Sequence, residues 1–305
     1  MSNTGSQSKE ITVEALKQGD FQVIARAISL VENAKPGADE LLKSIGHRHA
    51  PVLGITGPPG AGKSTLVDAL IKQFTGEGKK LAVLCVDPSS SFHSGALLGD
   101  RIRMHRWFDN PLVYIRSLAN RGTMGGLNPR IFQITDLLAG AGFDYIIIET
   151  VGVGQTEVEI ASLADQVVVV LVPESGDDIQ AMKSGILEIA DIFVLNKSDR
   201  PGADQFLASL KSSLQYQTAK PAERLQFVQT VATEEKGIDL LYRAILKNIQ
   251  EHKTDPSLRK LTQKAWQLIC TLRMRDLNEG ALRDSLEKEM QKPDFNLYRF
   301  VETFS

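Results

Sequence analysis

The sequence has little cysteine, little net charge and no long apolar run, and each shortage narrows what the protein can be. Its two cysteines, Cys85 and Cys270, lie far apart without CxxC or disulfide spacing, which favours a reducing compartment. A net charge of −2 gives no global attraction to nucleic acid or anionic lipid. No apolar run approaches the ~20 residues that cross a bilayer, and the polar opening MSNTGSQSKE does not read as a targeting peptide. We therefore predict a cytoplasmic protein that binds neither nucleic acid nor membrane.

The 305 residues are enough for one large α/β domain with additions, or for two domains. Residues 1–10 are polar and predict a disordered lead-in, whereas helical spacing over 11–48 predicts an N-terminal helical extension. Strands and helices alternate over 49–250, the predicted main domain. Residues 251–305 start with a charged, proline-containing stretch and end on KPDFNLYRFVETF, an apolar cluster expected to pack on its own domain or on a partner subunit.

Seven short apolar runs indicate buried strands, at 52–55, 81–86, 112–115, 145–148, 167–172, 192–195 and 226–230. Most are continuously apolar rather than alternating, which is typical of parallel strands covered on both faces. Their alternation with helical segments predicts an α/β fold with a doubly wound, mostly parallel sheet.

The turn after the first run, GITGPPGAGKST, fits the phosphate-binding pattern GxxxxGK[ST] and opens a helical segment, as the motif requires. In such a P-loop, backbone N–H groups and the helix N-terminus surround phosphate oxygens. Lys63 is predicted to reach the β- and γ-phosphates as a catalytic cation, and the Ser64 hydroxyl to ligate Mg²⁺. The predicted nucleotide contacts of this loop are Gly57, Pro58, Pro59, Gly60, Ala61, Gly62, Lys63, Ser64 and Thr65.

A second motif, ETVGVGQ, follows the run at 145–148. Glu149 stands where a P-loop protein has the carboxylate that holds Mg²⁺, usually through water. Gly152 stands where GTPases have a glycine whose N–H senses the γ-phosphate, so ETVG is a variant of DxxG. Gln155 is a candidate for orienting the attacking water. It comes two residues later than the glutamine of Ras-like proteins, so a catalytic and a structural role are both open.

Two more carboxylates lie between these motifs, in VDPSSSFHSGALLGDRIRM. Asp87 ends a predicted strand and Asp100 follows a stretch rich in serine and glycine, so both are candidate ligands of the Mg²⁺, directly or through water. Each taken alone would more often be a turn or helix-cap aspartate. His93 and His105 have no cysteine or histidine partners at metal spacing, so neither zinc nor nickel is predicted there.

The base is predicted from IFVLNKSD, where Asn196, Lys197 and Asp199 follow a strand in the pattern NKxD. A carboxylate accepts two hydrogen bonds, from guanine N1–H and the 2-amino group, and adenine lacks this pair of donors. Asn196 would hold neighbouring loops together, and the Lys197 stem would cover the base. The later loop TVATEEKG is a candidate for a last base contact through the backbone N–H of Ala232. The predicted cofactors are therefore GTP or GDP with Mg²⁺.

Together, GPPGAGKST, VDPSSSFHSGALLGDRIRM, ETVGVGQTE, PESGDDIQAMKSGILEIADIFVLNKSD and PDFNLYRF resemble the MeaB/ArgK family of GTPases, from about residue 11 to the end. The resemblance implies a GTP-hydrolysing chaperone that gates adenosylcobalamin loading and protects an acyl-CoA mutase, chiefly methylmalonyl-CoA mutase. It also implies a homodimer formed through a C-terminal helical arm, 251–305, and puts Asp87, Asp100 and Glu149 around Mg²⁺. Residues 173–180 would respond to nucleotide and partner, although PESGDD stands here where many relatives read PGAGDE.

Slow turnover is also predicted, because the sequence offers neither an obvious arginine finger nor a glutamine next to Gly152, and such groups contribute roughly 10³–10⁵ in rate. Arg101 and Arg103 are candidate charge stabilisers, although solvated arginines are commoner. Three other functions stay open. A small-molecule kinase of the arginine/ornithine transport type would need an acceptor site, and a nickel metallochaperone would need a histidine- or cysteine-rich store. An assembly protein with negligible turnover would carry the same motifs.

Overall fold

The computed structural model describes residues 10–46, 48–87, 104–119, 127–150, 156–174, 186–217, 225–251, 258–274, 277, 279–292 and 294–304. The chain divides into two compact units, Met1–Thr254 and Asp255–Ser305. The finer divisions predicted at residues 10 and 48 stay predictions.

The first unit is built on a seven-stranded sheet in which all the described strands pair in parallel, in the order β3-β2-β4-β1-β5-β6-β7. The strands are β1 Val52–Thr56, β2 Leu81–Asp87, β3 Val113–Ala119, β4 Tyr145–Glu149, β5 Gln166–Leu171, β6 Ile192–Leu195 and β7 Gln226–Gln229. Six of them lie within two residues of the predicted runs. The predicted doubly wound parallel sheet is confirmed.

Helices connect the strands. In the first unit they are α1 Val13–Lys17, α2 Phe21–Glu32, α3 Ala38–Ser44, α4 Lys63–Gly76, α5 Ile131–Gly140, α6 Thr156–Leu163, α7 Ile186–Ile189, α8 Ala203–Gln217 and α9 Ile238–Glu251, with short 3₁₀ turns at His105–Trp107 and Ala232–Glu234. The second unit contains α10 Leu258–Arg273, α11 Glu279–Glu289 and α12 Leu297–Glu302. No helix within the described ranges is long and apolar enough to cross a membrane.

Both faces of the sheet are covered, which explains the continuous apolar runs. Leu81 and Val83 of β2 pack with α4 and α9 on one face, and Ala82 and Leu84 pack with α2 and α5 on the other. Full burial of one such aliphatic side chain contributes about 1.5–3 kcal/mol to folding. Successive strand residues therefore need to be apolar on both sides, unlike those of a sheet with one wet face.

Strand β3 is longer than its predicted run at 112–115, because polar side chains interrupt its apolar sequence. Arg116 lies in the middle of the strand, and its guanidinium donates to the Ser29 hydroxyl at 3.0 Å and to the Glu32 carboxylate at 3.3 Å, both on α2. A criterion based on apolar letters stops at such a residue. The strand continues to Ala119, since the arginine is neutralised by the helix that covers it.

Three aspartates lie at the amino end of the sheet, each one residue before a strand: Asp144 before β4, Asp165 before β5 and Asp191 before β6. We call Asp144, Asp165 and Asp191 the amino-edge aspartates. Each carboxylate accepts a backbone N–H from a neighbouring strand or its approach: Lys80 N donates to Asp144 at 2.9 Å, Val52 N to Asp165 at 2.9 Å and Val167 N to Asp191 at 2.8 Å. These contacts satisfy donors where the strand ladder begins and fix the register of adjacent strands.

Candidate nucleotide site

The loop between β1 and α4 turns inward in a conformation that its glycines permit. Gly57 has φ +138°, and a Cβ there would lie 2.0 Å from the carbonyl oxygen of Val170 on the neighbouring strand β5. Gly62 has φ +88°, and a Cβ would lie 2.4 Å from Nδ2 of Asn196. Both positions need a left-handed backbone and close approach, so a residue with a side chain is excluded from each. The loop is thereby held against the carboxyl end of the sheet, with α4 starting beside it.

Lys63, the first residue of α4, is buried with 6% exposure although it carries a charge. Its ammonium donates to the carbonyl oxygens of Gly57 at 2.9 Å and Pro58 at 3.0 Å. These contacts keep the positive charge inside the curve of the loop rather than in solvent. Phosphate oxygens entering the loop would meet a cation, backbone donors and the helix N-terminus together.

The side chains of Ser64 and Glu149 meet at the centre of the carboxyl edge. Ser64 Oγ donates to Glu149 Oε1 at 2.6 Å, and both residues are buried, at 7% and 4% exposure. Strand pairing explains the meeting, because Glu149 ends β4 opposite Ile55 of β1, the strand that leads into the loop. A hydroxyl and a carboxylate are oxygen ligands of the kind that Mg²⁺ takes. The donor set therefore fits the predicted metal.

The other predicted metal and switch residues are only partly covered by the described structure. Asp87 is the last residue of β2, which pairs directly with β4, so it ends at the same edge as Glu149. Asp100, Gly152 and Gln155 lie outside the described residues, as do Arg101, Arg103 and His93. Their roles stay predictions. Within the described ranges there is no group of three or more His, Cys, Asp or Glu side chains that would hold a metal by themselves.

Asn196 joins three segments through its buried side-chain amide, which is 2% exposed. Its Nδ2 donates to the carbonyl oxygen of Ala61 in the phosphate loop at 2.9 Å. Its Oδ1 accepts from the Thr230 hydroxyl and from the backbone N–H of Ala232, each at 3.1 Å. The predicted linking role of Asn196 is thus seen in the structure. The Ala232 N–H is used in this contact, so its predicted bond to the base stays a prediction.

Lys197 and Asp199 lie beside this junction at the carboxyl end of β6. Lys197 has a left-handed backbone, φ +55°, and its ammonium donates to the carbonyl oxygen of Gly60 at 2.7 Å. The aliphatic stem is therefore stretched alongside the phosphate loop. Asp199 is exposed. A hydrogen bond from Lys236 to the Glu234 carboxylate raises the pKa of the Lys236 ammonium, and the charge of Asp199 acts in the same direction.

An ion pair connects the loops that follow β5 and β6. Arg200 donates to Glu174, and this hydrogen bond lowers the pKa of the Glu174 carboxyl. Both side chains are about half exposed, so water and salt weaken the pair. Residues 175–180 of the loop that was expected to respond to nucleotide lie outside the described residues.

Sequence reasoning missed three threonines that complete the edge. Thr56 and Thr150 follow the apolar parts of β1 and β4, and their buried hydroxyls lie 2.9 Å apart in a hydrogen bond. Thr230 bonds Asn196 as described. Each lies at the end of a strand or one residue beyond it, so a rule that inspects hydroxyl residues at strand ends beside a P-loop would have found them.

Several known proteins are similar to this chain over most of its length. A protein of Pyrococcus abyssi with a provisional GTPase name is 48% identical over 246 residues, covering 79% of this chain and 75% of that protein. A fused isobutyryl-CoA mutase of Geobacillus kaustophilus is 37% identical over 259 residues, covering 78% of this chain and 24% of that protein. A crystal structure named as a LAO/AO transport system kinase covers 99% of this chain and 98% of its own, with a TM-score of 0.65 and 25% identity.

A family model described as methylmalonyl Co-A mutase-associated GTPase MeaB matches residues 24–285. The matched range includes the phosphate loop, the strand that ends in Glu149 and the NKSD motif. It also extends beyond them into the second unit, so the match does not rest on motifs that all GTPases share. The chain belongs to the MeaB family of P-loop GTPases.

Proposed function

We propose that this protein is a GTP-hydrolysing chaperone of an adenosylcobalamin-dependent acyl-CoA mutase, with methylmalonyl-CoA mutase as the first candidate client. The observation that carries the client is the similarity to a protein named a fused isobutyryl-CoA mutase, 37% identical over 259 residues. The family description, which names methylmalonyl-CoA mutase, supports the same class of client. In this proposal GTP binding and hydrolysis gate cofactor loading and protect the mutase. The proposed location is the cytoplasm, where an exposed thiol such as Cys270 persists.

The phosphate loop and Lys63 would bind and orient the triphosphate. Backbone N–H groups of Gly60 to Thr65, at the N-terminus of α4, would donate hydrogen bonds to its phosphate oxygens. The ammonium of Lys63, which now donates to two loop carbonyls, would turn toward the β- and γ-phosphate oxygens. Charge developing in the transition state would then be stabilised by the Lys63 ammonium together with backbone donors that the folded loop holds in place.

Ser64, Glu149 and Asp87 would hold Mg²⁺, with Asp100 as a further predicted ligand. The 2.6 Å contact between Ser64 and Glu149 supports this, because it brings together a hydroxyl and a carboxylate, oxygen ligands of the kind that Mg²⁺ takes. When bound, Mg²⁺ would neutralise part of the negative charge of the phosphates. Gly152 is proposed to sense the γ-phosphate through its backbone N–H, and Gln155 is proposed to position the attacking water.

Guanine would be selected by Asp199 and held by the junction around Asn196. The bonds from Asn196 to Ala61 and to Ala232 fix the phosphate loop and the base loop relative to each other. Asp199 is exposed and would accept two hydrogen bonds from guanine. The stem of Lys197, whose ammonium reaches Gly60, would cover one face of the base.

The hydrolysis is proposed to be slow until the partner binds. Groups that act as arginine fingers contribute roughly 10³–10⁵ in rate, and none is assigned among the described residues of this site. A mutase could supply or order such a group. Residues 173–180 are proposed to carry the response to nucleotide and client.

We also propose that the protein is a homodimer formed by its second unit. Helix α10 presents apolar side chains at helical spacing to solvent, with Leu261, Ile269 and Leu272 between about 38% and 59% exposed and Trp266 at 68%. An exposed apolar stripe of this kind is typical of a protein–protein interface. Light scattering should give the mass of a dimer, and Leu272→Glu should give that of a monomer. A monomeric wild-type chain would contradict the proposal.

A small-molecule kinase is the second candidate, because the similar crystal structure is named as a transport system kinase. The two functions differ in where the γ-phosphate goes. A GTPase releases it as inorganic phosphate, whereas a kinase transfers it to an acceptor. Labelled GTP would therefore distinguish them in one reaction, with arginine and ornithine supplied as acceptors.

The deciding experiment measures phosphate release from GTP by the purified protein, alone and with the acyl-CoA mutase encoded by the same genome. We expect slow turnover that rises by at least about tenfold when the mutase is added. Lys63→Ala is the matched control and should abolish both rates. Turnover indifferent to every mutase tested would overturn the client, while leaving the GTPase itself intact.

A further inference from the structure

Ser198, between Lys197 and Asp199 of the NKSD motif, is bonded twice to one backbone carbonyl. Its N–H and its hydroxyl both donate to the carbonyl oxygen of Thr230, each at 3.1 Å. Thr230 opens the loop of residues 230–237, which we call the base loop. Ser198 therefore ties the motif that is proposed to select guanine to a second loop, 32 residues further along the chain.

The base loop offers Ser198 a fixed partner. Thr230 is 1% exposed, and its own N–H donates to the carbonyl oxygen of Leu195, the last residue of β6, at 2.9 Å. Beyond it, Val231 and Lys236 exchange two backbone hydrogen bonds, at 3.1 and 3.2 Å, which close the turn. The carbonyl of Thr230 is thus held between the sheet and a closed turn, so its bonds to Ser198 locate the serine.

The Asp199 carboxylate depends on its own backbone for its direction. It is exposed, and none of the residues that the structure describes hydrogen-bonds it. Lys197, two residues earlier, has a left-handed backbone, φ +55°, which a residue with a side chain keeps only where neighbouring contacts fix it. The N–H of Arg200 donates to the carbonyl oxygen of Lys197 at 3.1 Å, so the turn closes around Ser198 and Asp199. Ser198 is the residue that anchors this turn to the base loop.

We propose that Ser198 is a positioning residue for guanine: its hydroxyl, bonded to Thr230, directs the backbone of Asp199 so that the carboxylate meets both guanine donors. This inference rests on the proposed role of Asp199 as the guanine acceptor. Two parallel hydrogen bonds to one carboxylate need both of its oxygens in line with the edge of the base, so a small rotation loses one of them. The backbone bond from Ser198 to Thr230 needs no side chain, so the hydroxyl adds direction to a turn that is already folded.

The 2-amino group of the base reports the direction of the carboxylate. Guanine carries this group, whereas hypoxanthine keeps the N1–H and lacks the 2-amino group. The ratio of GDP affinity to IDP affinity therefore measures the second of the two hydrogen bonds to Asp199. A serine that only stabilised the loop would change both affinities by the same factor and leave the ratio unchanged.

The experiment measures the affinities of GDP and IDP for the full-length protein, by competition with a GDP analogue labelled on its ribose at a fixed Mg²⁺ concentration. Wild type is compared with Ser198→Ala and with Ser212→Ala. Ser212 is the matched control, because its hydroxyl also donates to a backbone carbonyl, that of Ala208 at 3.0 Å, but it lies exposed on α8.

We expect wild type to bind GDP roughly 10–100-fold more tightly than IDP, because a hydrogen bond to a charged acceptor is lost with the 2-amino group. Ser198→Ala should lower this ratio by about threefold, and Ser212→Ala should keep the wild-type ratio. An unchanged ratio in Ser198→Ala, or an equal fall in the control, would overturn the inference alone. A wild-type ratio near one would mean that Asp199 does not read the 2-amino group, so the guanine assignment would fail and the inference with it.

Ser198→Thr and Ser198→Val decide the matter if Ser198→Ala does not fold. The two new side chains are both β-branched and nearly equal in shape, and threonine alone keeps the hydroxyl. Threonine should hold the ratio within about twofold of wild type, and valine should lower it as alanine does. In an Asp199→Asn background, Ser198→Val should not change the ratio further, because the carboxylate that it directs is absent. Equal ratios for threonine and valine, or a full effect of valine in that background, would contradict the positioning role.

Discussion

The two ends of the parallel sheet both carry buried or half-buried carboxylates, and they use them differently. At the amino end, Asp144, Asp165 and Asp191 each accept a backbone N–H from a neighbouring strand. At the carboxyl end, Glu149 accepts from a side-chain hydroxyl, that of Ser64. Backbone partners fix a carboxylate in the folded state. A hydroxyl partner can rotate away, so a metal or its water can replace it.

The difference follows from what parallel strands leave at their ends. At the starts of parallel strands some backbone donors lack a ladder partner, and the amino-edge aspartates satisfy three of them, at Val52, Lys80 and Val167. At the other end the chain must turn back into helices, and the glycines at 57 and 62 let the phosphate loop approach Val170 and Asn196 closely, so that the N-terminus of α4 starts at this edge. Changes at the carboxyl end should therefore affect binding, and changes at the amino end should affect stability.

The largest expected effect at the carboxyl end is that of Lys63→Ala. Two charge-assisted contacts to phosphate would be lost, each contributing about 1.5–3 kcal/mol, so GTP affinity should fall by about 10²–10⁴-fold. Titration with a fluorescent GTP analogue measures this affinity, and circular dichroism should show that the Lys63→Ala variant is folded. Lys72→Met, an exposed lysine on the same helix, is the control. Retained GTP affinity in Lys63→Ala would contradict the phosphate-loop assignment.

Asp199→Asn should exchange one nucleotide preference for another rather than abolish binding. The amide can donate to the 2-oxo group of xanthine, and it no longer accepts two donors from guanine. We expect the ratio of GTP to XTP affinity to fall by about 10²-fold or more. Competition between the two nucleotides measures the ratio. If both affinities are unchanged, Asp199 does not read the base.

Asp165→Ala tests the amino end. The Val52 N–H would lose the acceptor that it contacts at 2.9 Å, at the start of the central strand β1. A donor left without its charged partner costs about 1–3 kcal/mol, so the free energy of unfolding in urea should fall by that amount. GTP affinity of the folded protein should not change. Asp204→Ala removes an exposed carboxylate that bonds Gln229 and should have little effect on either.

Glu159→Gln concerns a carboxylate on which burial and a backbone hydrogen bond act in opposite directions. Burial raises the pKa of Glu159, although the backbone N–H of Leu127 donates to it and acts in the opposite direction. The folded state therefore binds this proton more tightly than the unfolded state, and the stability from the neutral form is lost as pH rises through the folded pKa. At pH 7 the charged carboxylate destabilises the fold, and glutamine, which keeps an oxygen acceptor, should be more stable.

The effect of Glu159→Gln should be the smallest of the four, about 1 °C in melting temperature at pH 7, since the side chain is partly exposed. The gain should vanish below about pH 4, where the unfolded carboxyl is protonated as well. Melting curves at the two pH values measure it. Glu188→Gln, at an exposed position of α7, should show no gain at either pH. A wild-type protein more stable than the variant at pH 7 would contradict the sign.

Much of the sheet could be predicted because its strands are apolar on both faces. The run YIII followed by Glu149 predicts a strand that ends at a polar residue, and β4 is Tyr145–Glu149 in the structure. Local motifs were enough to predict that Lys63, Ser64 and Asn196 lie at this edge, because glycine-rich turns and polar residues at strand ends are recognisable within a few residues of sequence. Arg116 shows the limit of this reasoning. Its acidic partner, Glu32 on α2, is more than eighty residues away in sequence, so no local pattern predicts that the arginine is neutralised.

The contacts that could not be predicted are those between segments distant in sequence. Asp68 and Trp107 are 39 residues apart, and neither belongs to a recognised motif. The amino-edge aspartates were present in the sequence as FD, AD and AD before apolar runs, but their acceptor role depends on which strands become neighbours. Strand order is set by packing of helices over the whole sheet, and a single sequence does not state it.

The bond from Trp107 to Asp68 gives the protein an optical probe of its own. The chain contains two tryptophans, and the other, Trp266, is exposed in the second unit. Trp266→Phe would leave one emitter, whose indole N–H is attached to the helix of the phosphate loop. Nucleotide exchange, metal addition and client docking could then be followed at a single defined point, without a dye and without altering the site.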